Sequence, residues 1–452
     1  MPYTLNQSTT GLHGSYDDFI YVVKDTDNVT DPKYRYACQV TVGSTIEAIL
    51  LQLPNNANAA VFNLRNVIAQ AVKQDEDILN LGKSNSNVLS TSTDAFRTIS
   101  LDFGYSKATS ADTEPTITLG QASASVEVVN GNFTLATTDI IDNADSDEYV
   151  PDADTKYMLS DIPVTDLGLK TDVLFDGIAK TSWATLAFLN NSDSLATHIG
   201  YRYYNGSTVL STTVIENSST NGGQDPSSAS NDGERLIYVA VGTANLATQT
   251  ATYLNPGVSD NNGWTHYEVV LGSAADAFAN PVSQTYKFYR LPCTKFQSAD
   301  DFYTVHWWNS KGGIDNLVFS GLSELAQNME RTDFRQIGGN SFDADGDGTN
   351  YVKYSYEGGK TQSKIRTTTT LKLNTAFGNP DELAPLMMSL LSSERVYITP
   401  SKDYGLNANE QNTYGYVRGF VSDNQFMQKS AVKDGLSSYE VNIEVARKRA
   451  IR

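Results

Sequence analysis

The feature that most limits what this chain can fold into is two-residue alternation. Short runs of β-branched and aromatic residues, apolar at every second position, recur along the sequence and are separated by Gly, Asn, Asp and Ser. A strand turns successive side chains to opposite faces, so such runs suit strands with one buried face and suit helices poorly. The spacing predicts strands over 20–23, 34–42, 98–105, 125–135, 199–215, 235–241, 266–271, 285–291 and 414–421. Asn130-Gly131 and Asn205-Gly206 stand between alternating flanks and predict tight hairpins of type I′, whose central residues need positive φ.

Helical spacing is rare. From Asn63 as N-cap, Leu64, Val67, Ile68, Ala71 and Val72 share one face, with Gly82 as a stop. After Pro380, Asp381 and Glu382 favour a helix N-terminus, and Leu383, Leu386, Met387, Leu390 and Leu391 form the apolar stripe. The expectation is a mainly β protein of several β-sandwich domains, with one or two short helices packed on them. A chain of 452 residues exceeds one core. Polar segments at 82–93, 107–116, 139–154 and 216–233 cannot bury enough apolar surface to form cores and read as surface excursions. Boundaries near 160 and 320 give an N-terminal sandwich with one helix and polar insertions (1–160), a middle sandwich (161–320) and a C-terminal strand-helix-strand domain suited to assembly (321–452).

Charge narrows the function classes. With 33 basic and 52 acidic residues the formal charge is −19, which repels phosphates, so sequence-specific nucleic-acid binding is not expected. No run of 18 apolar residues is present, so no membrane span is expected. The first 15 residues have neither a basic nor an apolar leader region, so no signal peptide is expected. Cys38 and Cys293 are 255 positions apart and read as buried thiols, not as a disulfide framework or a metal cluster.

One motif points to a metal. Asp343, Asp345 and Asp347, followed by Gly348, place carboxylates at alternate positions as in the opening of a calcium loop. The twelfth position is Tyr354, where a closing Glu belongs, so either a later acid such as Glu357 completes a calcium site or the segment is a solvated turn. No other cofactor is implied. His13, His198, His266 and His306 lie apart from one another and from both cysteines, and no nucleophile elbow, phosphate loop or dinucleotide fingerprint is present. The expectation is a protein without catalytic residues. Tyr201, Tyr203 and Tyr204, beside the Asn205-Gly206 turn, could stack on sugars, which keeps a glycan-binding adhesin as the alternative. The basic tail of Arg447, Lys448, Arg449 and Arg452 suits either docking on an acidic neighbouring subunit or a solvated end.

Three stretches carry a resemblance. Asp18-Phe19-Ile20-Tyr21-Val22-Val23 with Tyr34-Arg35-Tyr36, Leu53-Pro54-Asn55 and Ala60-Val61-Phe62-Asn63-Leu64 forms the first. The run from Trp307 to Phe319, WWNSKGGIDNLVF, is the second, and a second Trp stands there in place of the usual aliphatic residue. Leu371-Lys372-Leu373-Asn374-Thr375, the helix after Pro380, and Ser392-Ser393-Glu394-Arg395-Val396-Tyr397-Ile398 form the third. Together they resemble virion structural proteins of tailed bacteriophages, especially those of marine and Bacteroidota-infecting phages. The resemblance implies a structural part in a tail, neck ring or fibre-attachment assembly. Its partners would be other virion proteins and copies of the chain in a ring, with a host-surface glycan under the adhesin alternative. It transfers no catalytic residue.

Overall fold

The computed structural model describes residues 3–74, 87–92, 94–132, 160, 169–175, 178–180, 184–189, 196–223, 236–242, 264–283, 285–291, 303–319, 321–336, 359–375, 380–400, 416–423 and 437–445. The protein is mainly β, as its alternation requires. The N-terminal part holds β1 (Tyr3–Gln7), β2 (Leu12–Gly14), β3 (Ile20–Asp25), β4 (Arg35–Val42), β5 (Thr45–Gln52), β6 (Ala59–Asn63), α1 (Arg65–Ala71), β7 (Leu89–Thr91), β8 (Phe96–Lys107) and β9 (Thr116–Val129). There follow β10 (Leu169–Phe175), β11 (Ile178–Lys180), β12 (Thr185–Leu189), β13 (His198–Asn205), β14 (Thr208–Glu216), β15 (Leu236–Ala240), β16 (His266–Gly272) and β17 (Tyr286–Leu291). The C-terminal part holds β18 (Tyr303–Trp308), β19 (Ile314–Phe319), β20 (Glu324–Gln336), β21 (Gly359–Asn374), α2 (Pro380–Ser392), β22 (Val396–Pro400), β23 (Val417–Val421) and β24 (Glu440–Val445).

Two cores organise these strands. The smaller lies between the sheet β1-β3-β6 and the sheet β2-β9-β8-β4-β5. Tyr36, Cys38, Val40 and Val42 point inward at every second position of β4 and meet Tyr21, Val23 and Phe62 from the facing sheet. Tyr21 and Phe103 pack with ring centroids 5.5 Å apart. Polar groups that enter this core are satisfied: buried Asp25 accepts from the Asp27 N–H at 2.9 Å, Asn28 Nδ2 at 3.0 Å and the Tyr34 hydroxyl at 3.0 Å. Burial pushes the Asp25 carboxyl up, but the hydrogen bonds from Asn28, Asp27 and Tyr34 outweigh it and hold the group below its usual value. Cys38 is fully buried as expected, and burial, with Asp102 adding to it, pushes its thiol up to about 12. Cys293 lies outside the described residues.

The larger core is shared by the sheets β11-β10-β17-β16-β13-β14, β12-β15-β7 and β19-β18-β22-β23-β24-β21-β20. Because β18 and β19 pair into the sheet that continues through β20–β24, the boundary expected at 320 passes through one sheet. The core also reaches back to Leu89, Phe96 and Val129, so it draws on residues from both sides of position 160. The helix α2 buries Leu386, Met387 and Leu390 of the predicted stripe in this core, with Ala384 beside them, while the predicted Leu383 and Leu391 pack against it partly buried. Its seating is fixed by the Trp307 indole, which donates to Ser389 Oγ at 3.0 Å.

Three local expectations change. The first helix starts at Arg65, not beyond an Asn63 cap: Asn63 ends β6, and its Oδ1 accepts the Arg65 N–H at 3.1 Å. It stops at Ala71, because Val72 turns extended and the Lys73 N–H donates to the Asp94 carbonyl at 2.8 Å. The Asn205-Gly206 hairpin exists, but its central residues are Gly206 and Ser207, and of these only Gly206 has positive φ (58°), the II′ pattern. Asn130-Gly131 makes no I′ turn, since neither residue has positive φ. Gly131 is required instead by a close approach: a Cβ there would lie 2.7 Å from the Ser310 carbonyl oxygen.

Candidate functional site

The run 307–319 builds a hairpin and not a reactive loop. Trp307 and Trp308 end β18, and the turn after them is closed by the Asn309 side chain, whose Oδ1 accepts from the Lys311 N–H (3.0 Å) and the Gly313 N–H (2.9 Å). Gly312 supplies positive φ at 85°. Asn309 Nδ2 donates to fully buried Asp315 at 2.8 Å, the Ser160 hydroxyl donates to the same carboxylate, and Lys311 Nζ donates to the Ser160 carbonyl at 3.0 Å. A buried carboxylate is tolerated only with such donors. His306 is buried on the same strand, edge-on to Tyr416 at 4.9 Å.

Against this hairpin rests the end of β9. The Asn132 N–H donates to the Ser310 carbonyl at 2.6 Å, and the Tyr16 N–H to the Gly131 carbonyl at 3.0 Å. A cleft of about 220 Å³ lies at this seam, bounded by Tyr16, Arg65, Asn130, Trp308, Asn309 and Glu394 among others. Asn130 Nδ2 donates to the Val72 carbonyl at 2.8 Å, while Asn130 Oδ1 and Trp308 Nε1 are buried without hydrogen-bond partners. Burial raises the Tyr16 hydroxyl pKa, Glu394 nearby adds to the rise, and Arg395 opposes it. What the seam does is join the two cores.

A second surface stands out by exposure. The last strands of the seven-stranded sheet, β20 and β21, form a ribbon that outruns the body. Among the described residues β24 pairs with β21 only over 370–374, so from Gln327 and Thr369 outward the described ribbon has two strands. Ten residues of β20 extend that way, about 33 Å at strand rise. Every residue from 324 to 334 is open to solvent, including Leu325 (47%), Met329 (52%) and Phe334 (48%). Register explains the stripe. Leu325 lies across from Leu371, which is buried in the larger core, and Met329 lies across from Thr367 on the same face. The core-facing side of the sheet thus continues outward after the core has ended. Sequence reading did not predict β20, because a strand with neither face covered has no alternation; the β-branched run Thr367–Thr370 was the available signal.

The other candidates are placed as follows. Tyr201 and Tyr203 are buried; Tyr201 donates to the Ala240 carbonyl at 2.8 Å, and Tyr203 stacks on Tyr267 at 5.1 Å. Tyr204 donates to Glu268 at 2.7 Å and stacks on His266 at 4.7 Å, whose other face meets Tyr289 at 5.0 Å. These rings spend their faces on one another, so the hairpin presents no three-tyrosine surface to a sugar. Burial, with Lys287 assisting and Glu268 opposing, holds the His266 imidazole below its usual value. Asp343, Asp345 and Asp347 lie outside the described residues, as do Arg447, Lys448, Arg449 and Arg452. Among the described residues no group of three His, Cys, Asp or Glu is placed to hold a metal, and no helix is long and apolar enough to cross a membrane. No protein-family model matches the chain, and no curated protein matches it.

Proposed function

We propose that the chain is a non-enzymatic structural subunit of a bacteriophage virion, built into a tail, neck ring or fibre-attachment assembly by contacts with copies of itself and with other virion proteins. The observation that carries the assembly role is the ribbon β20–β21. An isolated two-stranded ribbon is marginal in water, and one carrying Leu325, Met329 and Phe334 in the open loses free energy until something covers it. The virion assignment is supported by the resemblance of 18–23, 307–319 and 371–398 to such proteins, and the buried Asn309–Asp315 turn explains why a run of that kind serves packing.

Two measurements test the reading. Sedimentation of the full chain across a range of concentrations should show reversible or ring-forming self-association that the double variant Met329→Glu, Phe334→Glu abolishes. Cryo-electron microscopy of purified particles should place the chain in a symmetric ring. A chain that stays monomeric at every concentration and is missing from particles contradicts the proposal.

A further inference from the structure

Charge and apolar exposure are unevenly divided, and the division pairs one end of the molecule with the other. Residues 1–160 hold nine basic and 21 acidic residues, net −12, of which the described residues hold seven basic and 11 acidic, net −4, whereas 321–452 hold 16 of each, net zero. Within the latter, the two ribbon strands (324–336 and 359–374) hold six basic and three acidic residues, net +3. A basic arm therefore projects from an acidic molecule. The acidic N-terminal sandwich in turn carries its own uncovered stripe on the edge strand β5: Ile49 (44%), Leu51 (43%) and, just past its end, Leu53 (65%). Positions 49, 51 and 53 share one face by strand period. Ile49 lies across from Gln39, and Gln39 across from Asp102, so a carboxylate shares that face two strands away. On the ribbon, the stripe of Leu325 and Met329 is followed on the same face by Arg331.

Resting on the reading of the chain as an assembly protein, we infer that the ribbon of one copy docks face-on across the β5 edge of a second copy. Leu325 and Met329 cover Ile49, Leu51 and Leu53, and Arg331 lies toward Asp102. The interface joins two different surfaces, so each copy has one of each to offer and the contact propagates around a ring or along a filament. Charges on β20 at Glu330, Arg331 and Asp333 oppose edge-to-edge pairing with a stray strand, which favours docking by the face. Like signs between two acidic bodies disfavour random contacts and leave the basic arm as the attractive element.

Complementation tests this. Two full-length variants, Met329→Glu (arm disabled) and Leu51→Asp (acceptor disabled), should each associate at least about tenfold more weakly than the unaltered chain, as loss of a central interface residue does. Mixed one to one, they should form a dimer that stops there, because only one good arm and one good acceptor remain. As a second route independent of any folding defect, copies carrying Met329→Cys and copies carrying Leu51→Cys should form an intersubunit disulfide on mixing under mild oxidation, and neither should do so alone. An unaltered chain that associates while Leu51→Asp has no effect, and in which no mixed disulfide forms, overturns this inference and leaves the assembly role standing; ribbon-to-ribbon docking gives that pattern. An unaltered chain that never associates overturns this inference, and is what a ribbon reserved for a different protein would give; the assembly reading falls as well only if the chain is also missing from purified particles.

Discussion

The two edges of the seven-stranded sheet are made of the same backbone and end in opposite conditions. At one edge, every residue of β18 and β19 is buried, Trp307 and His306 included. At the other, β20 runs through solvent with Leu325, Met329 and Phe334 open. The first edge is covered on both sides by α2 and the neighbouring sheets, so apolar residues there stabilise the monomer. Apolar residues at the second edge, about half exposed, contribute little to the monomer. The sheet is thus a core at one side and an arm at the other, and stability and association should respond to substitution at separate ends.

The largest effect should come from the covered edge. Trp307→Ala removes a fully buried indole and its bond to Ser389, and about 4 kcal/mol of unfolding free energy should be lost in a denaturant titration. Met329→Ala, also apolar to small, should change the same quantity by less than about 0.5 kcal/mol in dilute solution. Comparable losses at both positions would break the contrast.

A buried charge sharpens it from the smaller core. Asp25→Ala strands the donors from Asn28, Asp27 and Tyr34 and should cost about 3 kcal/mol. Because the folded carboxyl sits below its unfolded value near 3.9, its contribution is present above about pH 4 and fades as pH falls through the folded value. The variant's deficit should therefore shrink in acid by the part tied to the ionised carboxyl, which midpoints measured from pH 7 to pH 3 would reveal.

Neighbouring tryptophans give a finer comparison. The Trp307 indole N–H is bonded to Ser389, whereas that of Trp308 is buried without a partner. Replacement by Phe should cost about 1 to 2 kcal/mol more at 307 than at 308, where removing an unsatisfied donor offsets the lost area. Equal costs would mean that the Trp308 indole has found a partner in solution.

What could be read from the amino-acid order follows the same division. Half-buried strands such as β4 announce themselves, since Tyr36, Cys38, Val40 and Val42 recur at every second position on the face of the smaller core. The stripe of α2 is equally legible, because one covered face imposes a 3.6-residue period. Asn130-Gly131 misleads because its glycine is fixed by the Ser310 backbone from a distant segment, and no local pattern encodes that approach. The seam cleft is assembled from five separate segments and has no sequence signature. Tyr201 and Tyr203 look like surface rings beside a turn, yet both are buried, Tyr203 stacked on Tyr267 and Tyr201 bonded to the Ala240 carbonyl. The ribbon escapes notice for the reason that makes it interesting: among the described residues nothing covers its exposed face.

Amide hydrogen exchange of the full chain at low and high protein concentration addresses the central claim directly. Residues 327–334 should exchange quickly when dilute and become protected as concentration rises, while 303–308 stay equally protected throughout. Exchange across 327–334 that is unaltered by concentration would contradict the account, because the arm would then have no copy of the protein to meet.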